Sequence, residues 1–221
     1  LGGDIGGHGL ILEKNAAGGG GKVNVYCYNE DGNLYKVKEG HEGEYIGDDP
    51  VINNIKTYDE NGNMLSEEKL SNGKDINGQH FNSSEVTNYG ENGNLVSKTD
   101  TRIYDDGTKV TETESYRQKN STLGVVDEKV STEKIVEKDG NITNTKYDKD
   151  GKIVEEVETS NDGVIKTKKY DSEGNLVSET EEFSTPEAEA KKAEEEKNAA
   201  DAEEKAKAEA EKAKEEVLWQ Q

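Results

Sequence analysis

The chain is poor in nearly everything from which an ordinary globular core is built. Leu, Ile, Val and Phe together make 39 of its 221 residues, with one tryptophan, one methionine and two phenylalanines. That little apolar surface cannot offset the ordering of a thick domain, and the composition borders on that of disordered chains. Any fold must be thin, locally paired and largely solvated. A single cysteine, Cys27, excludes an intrachain disulfide and a cysteine-based zinc site. Basic residues are in deficit: 28 Lys and Arg stand against 49 Asp and Glu, a formal net charge of −21. Such a field repels phosphate, so neither nucleic acid nor an anionic membrane surface is an expected partner. No apolar run approaches the ~20 residues of a transmembrane helix. No basic-then-apolar start marks a signal peptide. The first residue is Leu1 rather than methionine, which suggests a processed chain or a fragment.

What is present is sharply segregated. Nine of the 24 glycines lie in residues 1–21, and none follows Gly174. All ten tyrosines lie between Tyr26 and Tyr170, and ten of the twelve alanines between Ala188 and Ala213. The usage predicts a mostly β chain: a glycine-rich arm (1–21), irregular β-hairpin repeats (22–128), a regular antiparallel β-meander (129–183) and one long charged Ala/Glu/Lys helix (184–221). Ile5, Leu10, Ile11 and Leu12 could form one short strand, but glycine on both sides weakens it, and the arm is expected to be irregular unless a partner orders it.

The body carries nine Asn-Gly or Asp-Gly dipeptides, at 31–32, 61–62, 72–73, 77–78, 92–93, 106–107, 139–140, 150–151 and 162–163. Asn, Asp and Gly tolerate the positive φ of hairpin turns, and the flanks are rich in Val, Ile, Thr and Tyr. One eight-residue unit recurs: YNEDGNLY from Tyr28, YDENGNML from Tyr58, YGENGNLV from Tyr89, YDKDGKIV from Tyr147 and YDSEGNLV from Tyr170. A two-residue turn places these tyrosines opposite Tyr35, Leu65, Val96, Val154 and Val177. A three-residue turn with a glycine bulge places them opposite Leu34, Met64, Leu95, Ile153 and Leu176. Both registers pair every tyrosine with an apolar or aromatic residue, and either pairing contributes roughly 0.2–1 kcal/mol per pair.

The chemical alternatives fail on ligand sets. With Gly151 at the sixth position of an EF-hand loop, Lys146 and Val157 stand where the first and last oxygen ligands belong, and no other copy is complete. AAGGGGKV at 16–23 has Ala16 and Val23 where a phosphate loop needs Gly and Ser or Thr. His8, His41 and His80 form no metal-binding pair, and no nucleophile motif is present. No catalytic residue, cofactor or metal is therefore assigned. The five tyrosines are read as hairpin-closing aromatics with a possible second use as stacking faces for a ligand.

The predicted helix opens on STPEAE, where Ser184 or Thr185 caps, Pro186 suits the first turn and Glu187 and Glu189 favour the dipole. The seam Ala199, Ala202, Ala206, Ala210, Ala213 and Val217 suits either a thin coiled-coil face or a solvated, self-supporting helix. Leu218 and Trp219 form the one apolar cluster of this region and are candidate docking residues.

The unit Y170–V177 resembles the YD repeats of bacterial Rhs and wall-associated proteins, and 129–183 is similar in style to the single-layer sheet of spirochaete outer-surface lipoproteins. The resemblance covers the repeat segments, about a third of the chain, and no segment resembles the Rhs core motif. It implies β-hairpin units in a secreted or cell-surface protein, with carbohydrate contact as one family use. The expected function is a non-enzymatic extracellular or surface structural protein of bacterial origin. Its β-repeat body is a spacer, and its arm or C-terminal helix attaches it to a protein partner or to itself. The alternative is a module that binds glycans or other cell-surface ligands.

Overall fold

In the computed structural model of the chain the described residues are 9–14, 21–43, 50–122, 124–200 and 202. They form thirteen strands in one antiparallel sheet, each hydrogen-bonded to its neighbours in sequence. The strands are β1 (Gly9–Lys14), β2 (Lys22–Tyr28), β3 (Leu34–His41), β4 (Val51–Tyr58), β5 (Met64–Lys74), β6 (His80–Tyr89) and β7 (Leu95–Tyr104). There follow β8 (Lys109–Ser121), β9 (Gly124–Lys138), β10 (Asn141–Asp148), β11 (Ile153–Thr159), β12 (Val164–Tyr170) and β13 (Leu176–Phe183). One helix, α1 (186–200), comes after β13. A meander of this kind needs only short turns, and the Asx-Gly dipeptides supply most of them.

Part of the glycine-rich arm is strand rather than irregular. Residues 9–14 form β1, which pairs with β2 from Gly9↔Tyr28 to Lys14↔Val23. Pairing with β2 takes up the backbone groups on one side of this segment despite its glycine neighbours. The boundary expected at 128/129 falls inside β9, so the irregular and regular repeats share one continuous sheet. One expected turn is not a turn: Asn72-Gly73 lies within β5, opposite Asn82 and Phe81. A Cβ on Gly73 would stand 3.1 Å from Phe81 Cζ, so the ring covers the glycine.

The core is as thin as the composition requires. Val23, Cys27 and Val37 are buried on β2 and β3, Thr145 on β10 and Ala188 on α1. Val51, Ile76, Ile103, Val125, Leu176 and Val177 are half exposed or more. Cross-strand charge pairs lie over both faces, among them Lys56–Glu39, Lys129–Glu114, Lys109–Glu137 and Lys146–Glu155. Solvated pairs of this kind stabilise weakly, by up to about 1 kcal/mol each. Backbone ladders and side-chain pairs along strand neighbours, rather than a packed interior, hold the sheet together.

Thr185 is the residue that caps α1: its Oγ1 accepts the Ala188 amide at 3.1 Å. The helix docks on the turn between β11 and β12. A Cβ on Gly163 would meet Ser184 Oγ and stand 3.2 Å from Ala188 Cβ. Lys191 approaches Asp162 at 3.8 Å, and Lys192 pairs with Glu181 and lies 6.0 Å from the Phe183 ring centroid. Leu218, Trp219 and the seam beyond Ala202 lie outside the described residues.

Candidate functional site

All five copies of the repeated unit adopt one geometry. The observed partners are Tyr28↔Leu34, Tyr58↔Met64, Tyr89↔Leu95, Tyr147↔Ile153 and Tyr170↔Leu176. This is the three-residue turn with a glycine bulge. In the second copy the Asp59 carbonyl accepts the Gly62 amide at 3.1 Å, the Asn63 carbonyl accepts the Asp59 amide at 2.9 Å, and Gly62 has φ +82. A second irregularity follows in every copy. Thr57 pairs with Ser66 while Tyr58 pairs with Met64, so the register skips Leu65 as an extra residue. Tyr35, Val96, Val154 and Val177 occupy the same place in the other copies. Such a bulge bends the strand and re-aims its side chains.

The acidic residue after the tyrosine has a definite task. Asp59 Oδ1 accepts the amides of Asn61 at 2.9 Å and Asn63 at 2.8 Å, and Oδ2 accepts Asn63 Nδ2 at 2.9 Å. Asp171 repeats the pattern with Glu173 and Asn175, Asp148 with Asp150 and Lys152, and Asn29 with Asp31 and Asn33. The Asn63 side chain and amide hold the Asp59 carboxyl below its usual range. The Lys152 and Asn175 amides do the same for Asp148 and Asp171. Gly90 replaces the acid in the third copy, and the Asn94 side chain sits where a Cβ would stand. Sequence reasoning assigned the tyrosine and the glycine but missed this carboxylate. Its fixed place directly after the tyrosine, in three of five copies, was the available signal.

The meander gathers these units at one end of the sheet. Each closes a hairpin from an even-numbered strand to the next odd-numbered one, so the five turns line a single margin. Cross-strand partners share a face and successive residues alternate, and following the registers strand by strand puts all five tyrosines on one face. Their rings are half-buried, neither sealed nor free. Tyr170 Oη donates to Glu156 at 2.5 Å. Between the first two turns is a cleft of about 450 Å³ bordered by Gly32, Leu34, Tyr58, Asp59 and Gly62. The β8–β9 hairpin runs past this margin, where Tyr116 Oη donates to Glu114 at 2.6 Å and the Tyr116 pKa is pushed up to about 12.

A second cleft, about 380 Å³, lies on the same face over β6, β7 and β8. The pairs Glu85↔Asp100 and Asp100↔Glu112 put three carboxylates in one row on adjacent strands. Like charges directly opposite are unfavourable, and Arg102, at 2.5 Å from Asp100, offsets part of the repulsion. This row is invisible without the registers of three strands. His41 ends β3 opposite Lys22 and Val51, and His80 begins β6 opposite Lys74. Neither borders these clefts, and His8 lies outside the described residues. Among the described residues no group of three or more His, Cys, Asp or Glu is placed to hold a metal, and no helix is long and apolar enough to cross a membrane. No family model matches the chain, and no curated protein matches it.

Proposed function

We propose that the chain is a non-enzymatic structural protein of a bacterial cell surface or extracellular space, whose β-repeat body is a spacer and whose terminal segments attach it. The supporting observation is the single-layer meander itself. Strands about 4.8 Å apart give a sheet of thirteen strands a width of about 60 Å, achieved with very few buried apolar side chains. That is an economical way to span distance, and attachment is assigned to the arm and the helix region. Removal of 184–221 is expected to abolish attachment to the surface or assembly while the β circular-dichroism signal persists. Attachment that survives the truncation would remove the helix region from this role.

A second reading, a glycan- or cell-surface-ligand-binding module, is favoured by one observation. The five tyrosines share a face and a margin, with half-exposed rings suited to stacking on a sugar. Tyrosine fluorescence on titration with cell-wall polysaccharide checks it: saturable quenching, lost on Tyr58→Ala, supports it. An unchanged spectrum eliminates it.

A further inference from the structure

Three neighbouring strands alternate in charge. β11 carries Glu155, Glu156 and Glu158, β12 carries Lys166, Lys168 and Lys169, and β13 carries Glu179, Glu181 and Glu182. The registers turn this into opposite-charge pairs: Glu155↔Lys169, Glu156↔Lys168 and Glu158↔Lys166 on one side of β12, Lys166↔Glu181 and Lys168↔Glu179 on the other. The basic strand thus has an acidic strand on both flanks. Acidic β13 has a basic strand on one flank, and among the described residues no strand lies beyond it.

The outer edge of β13 is open in other respects. Seven of its eight residues are exposed, with Leu176 at 52% and Val177 at 67%. α1 does not run along this edge. Its contacts with Gly163, Asp162 and Glu181 take it over the face of the sheet towards β11 and β12, where Lys192 and Glu195 border a cleft with Glu158 and Lys166. An unpaired strand edge offers a row of amides and carbonyls as a template for one more strand.

We propose that this edge takes a lysine-bearing extended segment of a partner protein, added antiparallel to β13. Its lysines stand at alternate positions opposite Glu179 and Glu181, as Lys168 and Lys166 do on the inner side. A second copy of this chain does not fit. Antiparallel pairing of β13 with itself brings acidic strands together, and like charges repel across a ladder. The opposite edge, β1, reads GLILEK, and its single lysine cannot stand opposite both Glu179 and Glu181. This proposal is independent of the attachment roles given to the termini.

The test uses the whole protein and, as probe, a labelled synthetic peptide with the sequence VIKTKKY. A scrambled peptide that keeps the composition but groups the lysines serves as control. At low salt the alternating peptide binds saturably and slows hydrogen exchange at β13 amides that exchange rapidly in the free protein. The double variant Glu179→Gln/Glu181→Gln binds about tenfold less well, the effect of removing two cross-strand pairs. Because Glu181 also pairs with Lys192 of α1, the single variant Glu179→Gln, which leaves that pair in place, should also bind less well, and circular dichroism checks the fold. Equal binding of the scrambled peptide would reduce the effect to attraction by net charge and overturn the proposal. So would absence of binding, or protection confined to β12, which signals strand exchange. Light scattering of the protein alone that shows a dimer dissociated by the peptide places a second copy at the edge and also overturns it.

Discussion

At the scale of single residues, the turn carboxylates are acid-sensitive fasteners. Asp59, Asp148 and Asp171 are held below their ordinary pKa of 3.8 by amide and side-chain donors. A carboxyl depressed on folding contributes stability above its unfolded pKa and loses it as pH falls through the folded value. Urea unfolding at pH 6 and pH 3 should therefore show a loss at acid pH. That loss should shrink in Asp171→Asn, which keeps an acceptor oxygen but cannot titrate. Tyr116 behaves in the opposite sense. Its pKa is raised from 10.0 to about 12, first by the hydrogen bond to Glu114. Its contribution is complete below pH 10 and disappears as pH rises towards 12. Ultraviolet titration of phenolate should show both Tyr116 and Tyr170, which donates to Glu156, titrating late, and only the Tyr116 transition should return to the ordinary range in Glu114→Gln. An unchanged profile in that variant rules out the hydrogen bond as the cause.

At the scale of elements, two glycines in the same turn type separate backbone strain from packing. Gly151 has φ +81 and open space around the missing Cβ, whereas Gly163 has φ +88 and would place a Cβ against Ser184 and Ala188. Gly151→Ala is expected to cost about 1 kcal/mol from the left-handed backbone alone. Gly163→Ala should cost more and loosen α1, seen as a lower urea midpoint and faster amide exchange in 186–192. Equal midpoints would show that the helix contact contributes nothing. Much of this level was legible in the sequence. The Tyr-to-Gly units predicted the five hairpins, and STPEAE predicted the start of the helix. The register was not, because both alternatives put apolar or aromatic residues across from every tyrosine. The glycine bulge won through the backbone bonds of a type I turn closed by a positive-φ glycine, which side-chain pairing cannot reveal. Asn72-Gly73 misled for a related reason. It has turn chemistry, but pairing with β6 and the covering Phe81 ring extend the strand through it. The carboxylate row Glu85, Asp100 and Glu112 depends on the alignment of three strands, and no local signal marks it.

For the whole molecule, the balance of charge decides how salt acts. Exposed pairs each contribute little and are screened, while the −21 excess repels itself over the entire sheet. Repulsion outweighs the attraction within the pairs, so thermal unfolding is expected to move upward from low to physiological salt. A downward shift would mean that the cross-strand pairs dominate.

The odd number of strands also determines how the body would respond to force. The chain enters β1 at the margin that carries the tyrosine turns and leaves β13 at the opposite margin, so entry and exit lie at diagonal corners of the sheet. Tension between those corners acts mainly across the strands. It opens hairpins one at a time from the edges, ladder bond by ladder bond, instead of shearing many bonds together. A body built this way yields at low force and lengthens in steps, and it can refold hairpin by hairpin when the load is released.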